Sequence, residues 1–251
     1  MKFISNITVK LIQSIGGDQI VCAAAKVSTS GEEAENLVDQ EANYGLINYL
    51  MKHRHGTPFE HSSLTFFVHA PIFVWREWHR HRVGFAYTEY GMDDGGLNQS
   101  FNEESGRYKT LEPVFYIPPR NRPMMKVDGW KPGRPKFLPC TSDGVYSTLI
   151  DNLTESYQLA YDNYLNNLAM GIDPGLARDC LPVGIYSSCW VSVNPRSLMH
   201  FLSLRTHEPT AKAVSYPLYE IEVAARQCEK ILAEYWPLTY KAFVENGRVA
   251  P

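Results

Sequence analysis

Apolar residues on odd positions near the start of the chain, Phe3, Ile7, Val9 and Leu11, predict a strand, because successive strand side chains point to opposite faces. Ser30 followed by Glu33 has capping-box spacing and predicts a helix from there to about residue 52. Leu64, Phe66 and Val68 share one face of a second strand over 62–69. Pro71 then suits the first position of a helix over 72–82, where its missing N–H costs nothing. Segments 91–100 and 118–144, rich in Gly, Pro, Asp and Asn, read as surface loops flanking a short strand at 112–117. Leu149, Leu153, Tyr157, Ala160, Tyr164 and Leu168 mark a long amphipathic helix, and a shorter one starts at Pro174 and stops before Pro182. Residues 185–193 return to strand, and Asn194-Pro195 caps a helix to about His207. Leu218, Ile221, Ala225, Cys228 and Leu232 carry a last helix ending at Trp236-Pro237. The pattern is mixed α and β, and with no repeat or linker it predicts a single domain over 1–251.

Composition narrows the class. With 44% apolar and 12% aromatic residues, 251 residues suffice for a packed core. A net charge of −3 argues against sequence-independent nucleic-acid binding, so any anion is gripped locally. The five cysteines are scattered, odd in number and never spaced CxxC, which argues against a disulfide framework or thiolate zinc site and favours a reducing cytoplasm. No apolar run approaches membrane-spanning length, and the N-terminus lacks the features of a signal peptide.

Six of the eight histidines lie between His53 and His81, a stretch that ends in Trp78-His79-Arg80-His81-Arg82. Imidazole, guanidinium and indole groups suit phosphates and flat aromatic ligands, and a dense block of them is costly to bury without partners. On a helix, Arg80, His81 and Arg82 point about 100° apart and serve three neighbours; the alternative is that they only complement a helix C-terminus. In His55-Gly56-Thr57-Pro58-Phe59-Glu60-His61 a polar turn precedes a strand, and it is either a hydrogen-bonded turn or, with His53, a metal site. Arg205 falls on the apolar stripe set by Leu198, Phe201 and Leu202, so it needs an anion, either a structural carboxylate or a ligand phosphate. Arg196 and His200 lie one turn apart on another face of that helix.

HGTPFEH at 55–61, APIFVWREWHRHR at 70–82, NEESGRY at 102–108, LARDCLP at 176–182, NPRSLMHFLSLR at 194–205 and WPLTYKAF at 236–243 together resemble the flavin-dependent thymidylate synthases, in the family's order and over most of the chain. The resemblance implies a mixed α/β fold with a central antiparallel-type sheet and long flanking helices, assembled as a homotetramer with active sites shared between subunits. It implies conversion of dUMP to dTMP, with FAD as cofactor, 5,10-methylenetetrahydrofolate as carbon donor and NADPH as reductant. Ser28, His55, Thr57, Glu60, Arg80, His81, Arg82, Asn194, Arg196 and His200 match flavin positions. Arg80, Glu103, Ser105, Gly106, Arg107, Arg178 and Arg205 match the dUMP site, with Arg205 polarising the uracil; no metal and no enzyme nucleophile are implied.

The chain departs from the family twice. Tyr90 stands where the signature has a serine, because an insertion near 84–100 delays SFNEESGRY; AYTEYG inside it makes Glu89 a rival to Glu103. The insertion is expected to be a flexible excursion, with Asp93 and Asp94 turned away from the nucleotide. Glu77 stands where members often carry a glutamine, and its carboxylate repels a phosphate unless it pairs with an arginine. Two readings from other classes are a nucleotide- and flavin-binding regulatory homologue without turnover, and a histidine-metal hydrolase.

Overall fold

The computed structural model describes residues 1–81, 85–86, 96–97, 99–129, 131–132 and 134–251. Its strands are β1 (Lys2–Ile4), β2 (Thr8–Ile15), β3 (Ser63–Pro71), β4 (Phe85–Ala86), β5 (Gly96–Leu97), β6 (Gln99–Glu103), β7 (Val114–Tyr116), β8 (Pro123–Lys126), β9 (Phe137–Pro139) and β10 (Tyr186–Val193). The helices are α1 (Asp18–Ser30), α2 (Tyr44–Lys52), α3 (Ile72–Trp78), α4 (Asp143–Ala169), α5 (Pro174–Ala177), α6 (Pro195–Arg205), α7 (Tyr219–Tyr235) and α8 (Pro237–Glu245). A central four-stranded sheet has the order β2-β3-β10-β6. β1 runs parallel to β7, while β4 with β5 and β8 with β9 form antiparallel pairs. The fold is mixed α/β, as the pattern of elements predicts.

By contact the chain divides into two compact units. The first is Met1–Ile7, His69–Arg76 and Glu103–Cys189; the second is Thr8–Val68, Glu77–Asn102 and Trp190–Pro251. In the first, α4 buries Tyr157, Tyr161 and Tyr164 against Leu111, Phe115 and Ile185. Buried phenols need partners, and two of the three find them on one residue: the Leu111 N–H donates to Tyr164 Oη (3.1 Å) and Tyr161 Oη donates to the Leu111 carbonyl (2.9 Å). That clamp fixes the chain just beyond NEESGRY.

In the second unit, Leu198, Leu202, Ile221, Cys228, Leu232 and Phe243 are at most 1% exposed, the inward stripes of α6, α7 and α8. The Asp18 carboxylate caps α8, accepting from the N–H groups of Leu238 (2.8 Å) and Thr239 (2.9 Å). Glu229 and Arg248 form a buried pair at 2.6 Å, and Tyr240 Oη also donates to Glu229 at 3.0 Å. No described helix is long and apolar enough to cross a membrane.

Several elements differ from the sequence reading. The helix that opens after Ser30 is a short 3-10 helix, Gly31–Leu37, and not one running to residue 52; the Ser30 side chain makes no capping bond, and α1 ends there because Gly31 takes a positive φ (55°). The cap of α2 is Asn43, whose side-chain oxygen accepts from the Leu46 N–H at 3.1 Å. The first strand is two, β1 and β2, and α8 follows the helix expected to be last. The loop expected over 118–144 contains the β8–β9 hairpin, whose residues at Phe137, Leu138 and Pro139 are all exposed and so show no alternating pattern. α3 stops at Trp78, four residues early, because the His81 N–H turns back to the Trp78 carbonyl (3.0 Å) and the His81 ring packs edge-on against Phe201. Arg80 and His81 therefore diverge from a turn and not along a helix. In the insertion, β4 pairs with β5 and the chain returns as β6, so that part is regular; Glu89, Tyr90, Asp93 and Asp94 lie outside the described residues.

Candidate active site

The second unit holds every described residue matched to the flavin. Asn194 caps α6, its Oδ1 accepting from the Ser197 N–H at 2.8 Å, while its buried Nδ2 has no partner among the described residues. An orphaned buried donor is costly unless a ligand meets it. Two residues on, Arg196 donates through Nε to the Pro251 backbone oxygen (2.8 Å) and through Nη1 to Glu60. Its guanidinium lies flat on Gly56, where a Cβ would sit 2.4 Å from both Cζ and Nε. Glycine in HGTPFEH is thus a cradle for Arg196. Thr57 is exposed, and the exposed His55 ring stacks on Tyr49 with centroids 5.9 Å apart. His200 is half-buried and hydrogen-bonded to the Pro251 backbone; burial, then Arg196 and Arg54, lower its proton affinity. Ser28 is exposed on the last turn of α1, its hydroxyl turned to the Ala25 carbonyl (3.0 Å). Arg80 is exposed, and Arg82 lies outside the described residues. Donors, a phosphate-sized arginine and an orphaned amide fit an anionic, hydrogen-bonding cofactor such as FAD.

Arg205 sits in the same unit. Its Nε donates to His81 Nε2 (2.8 Å), and Nη2 meets both the Glu77 carbonyl (3.2 Å) and the Glu77 carboxylate (3.1 Å). A guanidinium only donates, so His81 accepts through Nε2 and carries its proton on Nδ1. Burial first, then Arg205 and His200, push the His81 pKa down to about 4, so the ring is neutral near pH 7. Of the two partners left open for Arg205, a carboxylate is present. Glu77 is that carboxylate, and the pairing answers its departure from the family's glutamine. Nη1 is left without a partner among the described residues.

The first unit contains a cavity of about 470 Å³ lined by Glu103, Ser105, Gly106 and Arg178 of the nominated nucleotide set. A turn shapes it: the Tyr108 N–H reaches the Ser105 carbonyl (3.2 Å) and the Arg107 N–H the Ser105 hydroxyl (3.3 Å). A Cβ on Gly106 would lie 3.0 Å from Leu111 and 3.2 Å from Arg178 Cδ, so glycine lets the turn lie on both. Arg107 is exposed, its guanidinium 5.7 Å from the Tyr108 ring, and does not line the cavity. Sequence reasoning missed Arg76 and Glu104, which do. Glu104 is neutralised by Lys109 at 2.6 Å, whereas neither Arg76 nor Arg178 has a carboxylate partner among the described residues. Arg76, one turn before Arg80 in WREWHRHR, could have been read as part of the same basic run. The lining also carries Glu103 and Asp179, so what suits a phosphate dianion is the pair of arginines without carboxylate partners and not a net excess of positive charge.

The thiols show no sign of activation. Burial raises the pKa of Cys22 and Cys228, and the exposed Cys180 turns its Sγ to the Ala160 and Ala177 carbonyls (3.5 and 3.3 Å). Among the described residues no group of three His, Cys, Asp or Glu side chains could hold a metal ion.

Residues 10–238 match the family model described as thymidylate synthase complementing protein. The chain is 47% identical over 249 residues to the flavin-dependent thymidylate synthase of Streptomyces coelicolor, covering 98% of this chain and 94% of that one. It is 44% identical over 251 residues to the enzyme of that name from Tropheryma whipplei, with 99% and 97% covered. Among solved structures it resembles a UMP/dUMP methylase, PolB, from Streptomyces cacaoi bound with 5-Br dUMP, at TM-score 0.85 and 41% identity over 100% of both chains. The family model spans most of the chain and these relatives cover nearly all of it, so the chain belongs to the flavin-dependent thymidylate synthases.

Proposed function

We propose that this protein methylates dUMP to dTMP in the cytoplasm, using FAD, 5,10-methylenetetrahydrofolate as carbon donor and NADPH as reductant. The observation that carries the reading is the cavity in which Glu103, Ser105, Gly106 and Arg178 converge, four of the residues expected at the dUMP site from the resemblance of the motifs. Arg178 and Arg76 offer charge-assisted hydrogen bonds to a phosphate dianion. Ser105 supplies a hydroxyl for binding and not for attack, since no adjacent base activates it in the described contacts. Arg205, by the resemblance of its motif, would meet the pyrimidine. Held by His81 and Glu77, it offers Nη1 to an oxygen on which negative charge gathers, stabilisation of the oxyanion-hole type. Asn194, Arg196, His200, His55, Thr57 and Glu60 would hold FAD, which when bound supplies the hydride that completes the methyl group. The neutral His81 keeps Arg205 aligned without adding a second charge beside it. A homotetramer with shared sites is part of the proposal.

The test supplies each co-substrate in turn. dTMP should form only when dUMP, FAD, methylenetetrahydrofolate and a reductant are all present, and label in the folate methylene carbon should appear in dTMP. Unlabelled product, or turnover without folate, would overturn the donor assignment. Because the Streptomyces cacaoi relative is named for UMP as well as dUMP, UMP is the competitor to run beside it; preference for UMP would overturn the substrate assignment.

A further inference from the structure

α2 ends in a Schellman motif. The His55 N–H bonds the Leu50 carbonyl (2.9 Å), and the Arg54 N–H bonds that of Met51 (3.3 Å). The first residue past the helix cap, donor of the second bond, must adopt the left-handed conformation, which glycine takes freely and other residues take at a cost. Here that residue is Arg54, at φ 63°, one of only two non-glycine residues with positive φ among those described.

Complementing the α2 C-terminus does not require an arginine at this position, because Lys52 in the last turn already does that and sits in ordinary helical geometry. What sets Arg54 apart is its neighbourhood. Two residues later comes Gly56, on whose backbone the Arg196 guanidinium lies. His200, one turn on from Arg196 in α6, has its proton affinity lowered by burial and by the charges of Arg196 and Arg54. Arg196 already engages the Glu60 carboxylate, and Arg54 lies near enough to His200 for its charge to be felt there. The Arg54 side chain is exposed and has no hydrogen-bond or carboxylate partner among the described residues. A strained backbone that carries an unpaired cation into a cluster short of negative charge is the arrangement expected where an anionic ligand completes the balance.

We propose that Arg54 is a further ligand for the diphosphate of the flavin dinucleotide, an inference that rests on the flavin reading above. Arg196 is committed through Nε and Nη1 to Pro251 and Glu60, so it can offer a phosphate only its remaining edge. Arg54 supplies the second cation that a diphosphate, with charge on both phosphorus centres, demands.

The test is Arg54→Gly, which relaxes the backbone while removing the guanidinium. Thermal unfolding of the unliganded variant should be unchanged or shifted up. Its Kd for FAD, by quenching of flavin fluorescence, should rise about tenfold or more, while affinity for riboflavin, which lacks the diphosphate, stays the same. Arg54→Lys should recover part of the FAD affinity. An Arg54→Gly protein that binds FAD within roughly twofold of wild type overturns the assignment. So does one whose NADPH requirement rises while FAD affinity holds, because the cation would then serve the other dinucleotide. Equal losses for FAD and riboflavin, or a lower unfolding temperature, would make Arg54 a structural residue. Wild-type protein that takes up no FAD would instead overturn the flavin reading itself, and this inference with it.

Discussion

Replacing Arg205 with alanine separates its two roles. In the resting protein it joins Glu77 and His81 at 3.1 and 2.8 Å, with side-chain exposures of 17% for Arg205 and 28% for Glu77. Opposite charges at that separation attract by about 5 kcal/mol at an effective dielectric of 20, most of which desolvation offsets. Glu77 keeps some access to water, so losing the pair should cost about 1–2 kcal/mol of stability, and the variant should fold. Turnover should fall on the order of a hundred- to a thousandfold, the usual consequence of losing a donor to a developing oxyanion.

A third readout is His81. Its depressed pKa means that the unfolded chain binds a proton between pH 6.5 and about 4 that the folded protein refuses. The stability associated with the neutral ring is therefore fully present above pH 6.5 and is lost as pH falls through about 4, a total of about 3 kcal/mol. Removing Arg205 takes away one of the causes and admits water, so NMR titration of the variant should find the His81 pKa raised by about a unit or more, with weaker acid sensitivity. A variant that folds, keeps near-normal turnover and loses only stability would refute the catalytic role. An unchanged His81 pKa would refute the geometry.

Three further substitutions address other parts of the account. Gly56→Ala forces a Cβ to within 2.4 Å of Arg196 Cζ, so equilibrium titration should show FAD affinity falling sharply in a protein that still folds. Gly106→Ala, with its Cβ 3.0 Å from Leu111 and 3.2 Å from Arg178, should raise KM for dUMP more than it lowers kcat; steady-state kinetics with an unchanged KM would show that the turn does not hold the nucleotide. Glu77→Gln keeps an acceptor for Arg205 and removes a negative charge, and should lower KM for the dianionic substrate, most visibly at low ionic strength.

What was legible in the sequence was chemistry carried by short motifs. Asn194 reads as a cap because Pro follows it and an apolar stripe begins, and it is one. HGTPFEH and NEESGRY stand out as motifs, yet the reasons for their glycines were hidden: Gly56 answers to Arg196 and Gly106 to Leu111 and Arg178, contacts no local pattern encodes. The need of Arg205 for an anion was visible from its place on an apolar stripe, whereas the choice of Glu77 required the fold. Ser30 and Glu33 misled because their spacing marks only a short 3-10 helix without a side-chain cap, and the stronger signal beside them was Gly31, which ends α1. The end of α3 could not be read locally, since the packing of His81 on Phe201 sets it. Arg76 escaped notice because a helical arginine looks like a solvated face until a cavity opens beside it.

The most direct test of the central claim is release of tritium from [5-³H]dUMP by the purified protein, since methylation must replace the hydrogen at that carbon. With FAD, a reductant and methylenetetrahydrofolate under anaerobic conditions, tritium should appear in water in step with dTMP, and omission of FAD should abolish both. Folded protein that binds FAD and dUMP yet releases no tritium would show that the pocket has been kept without the reaction.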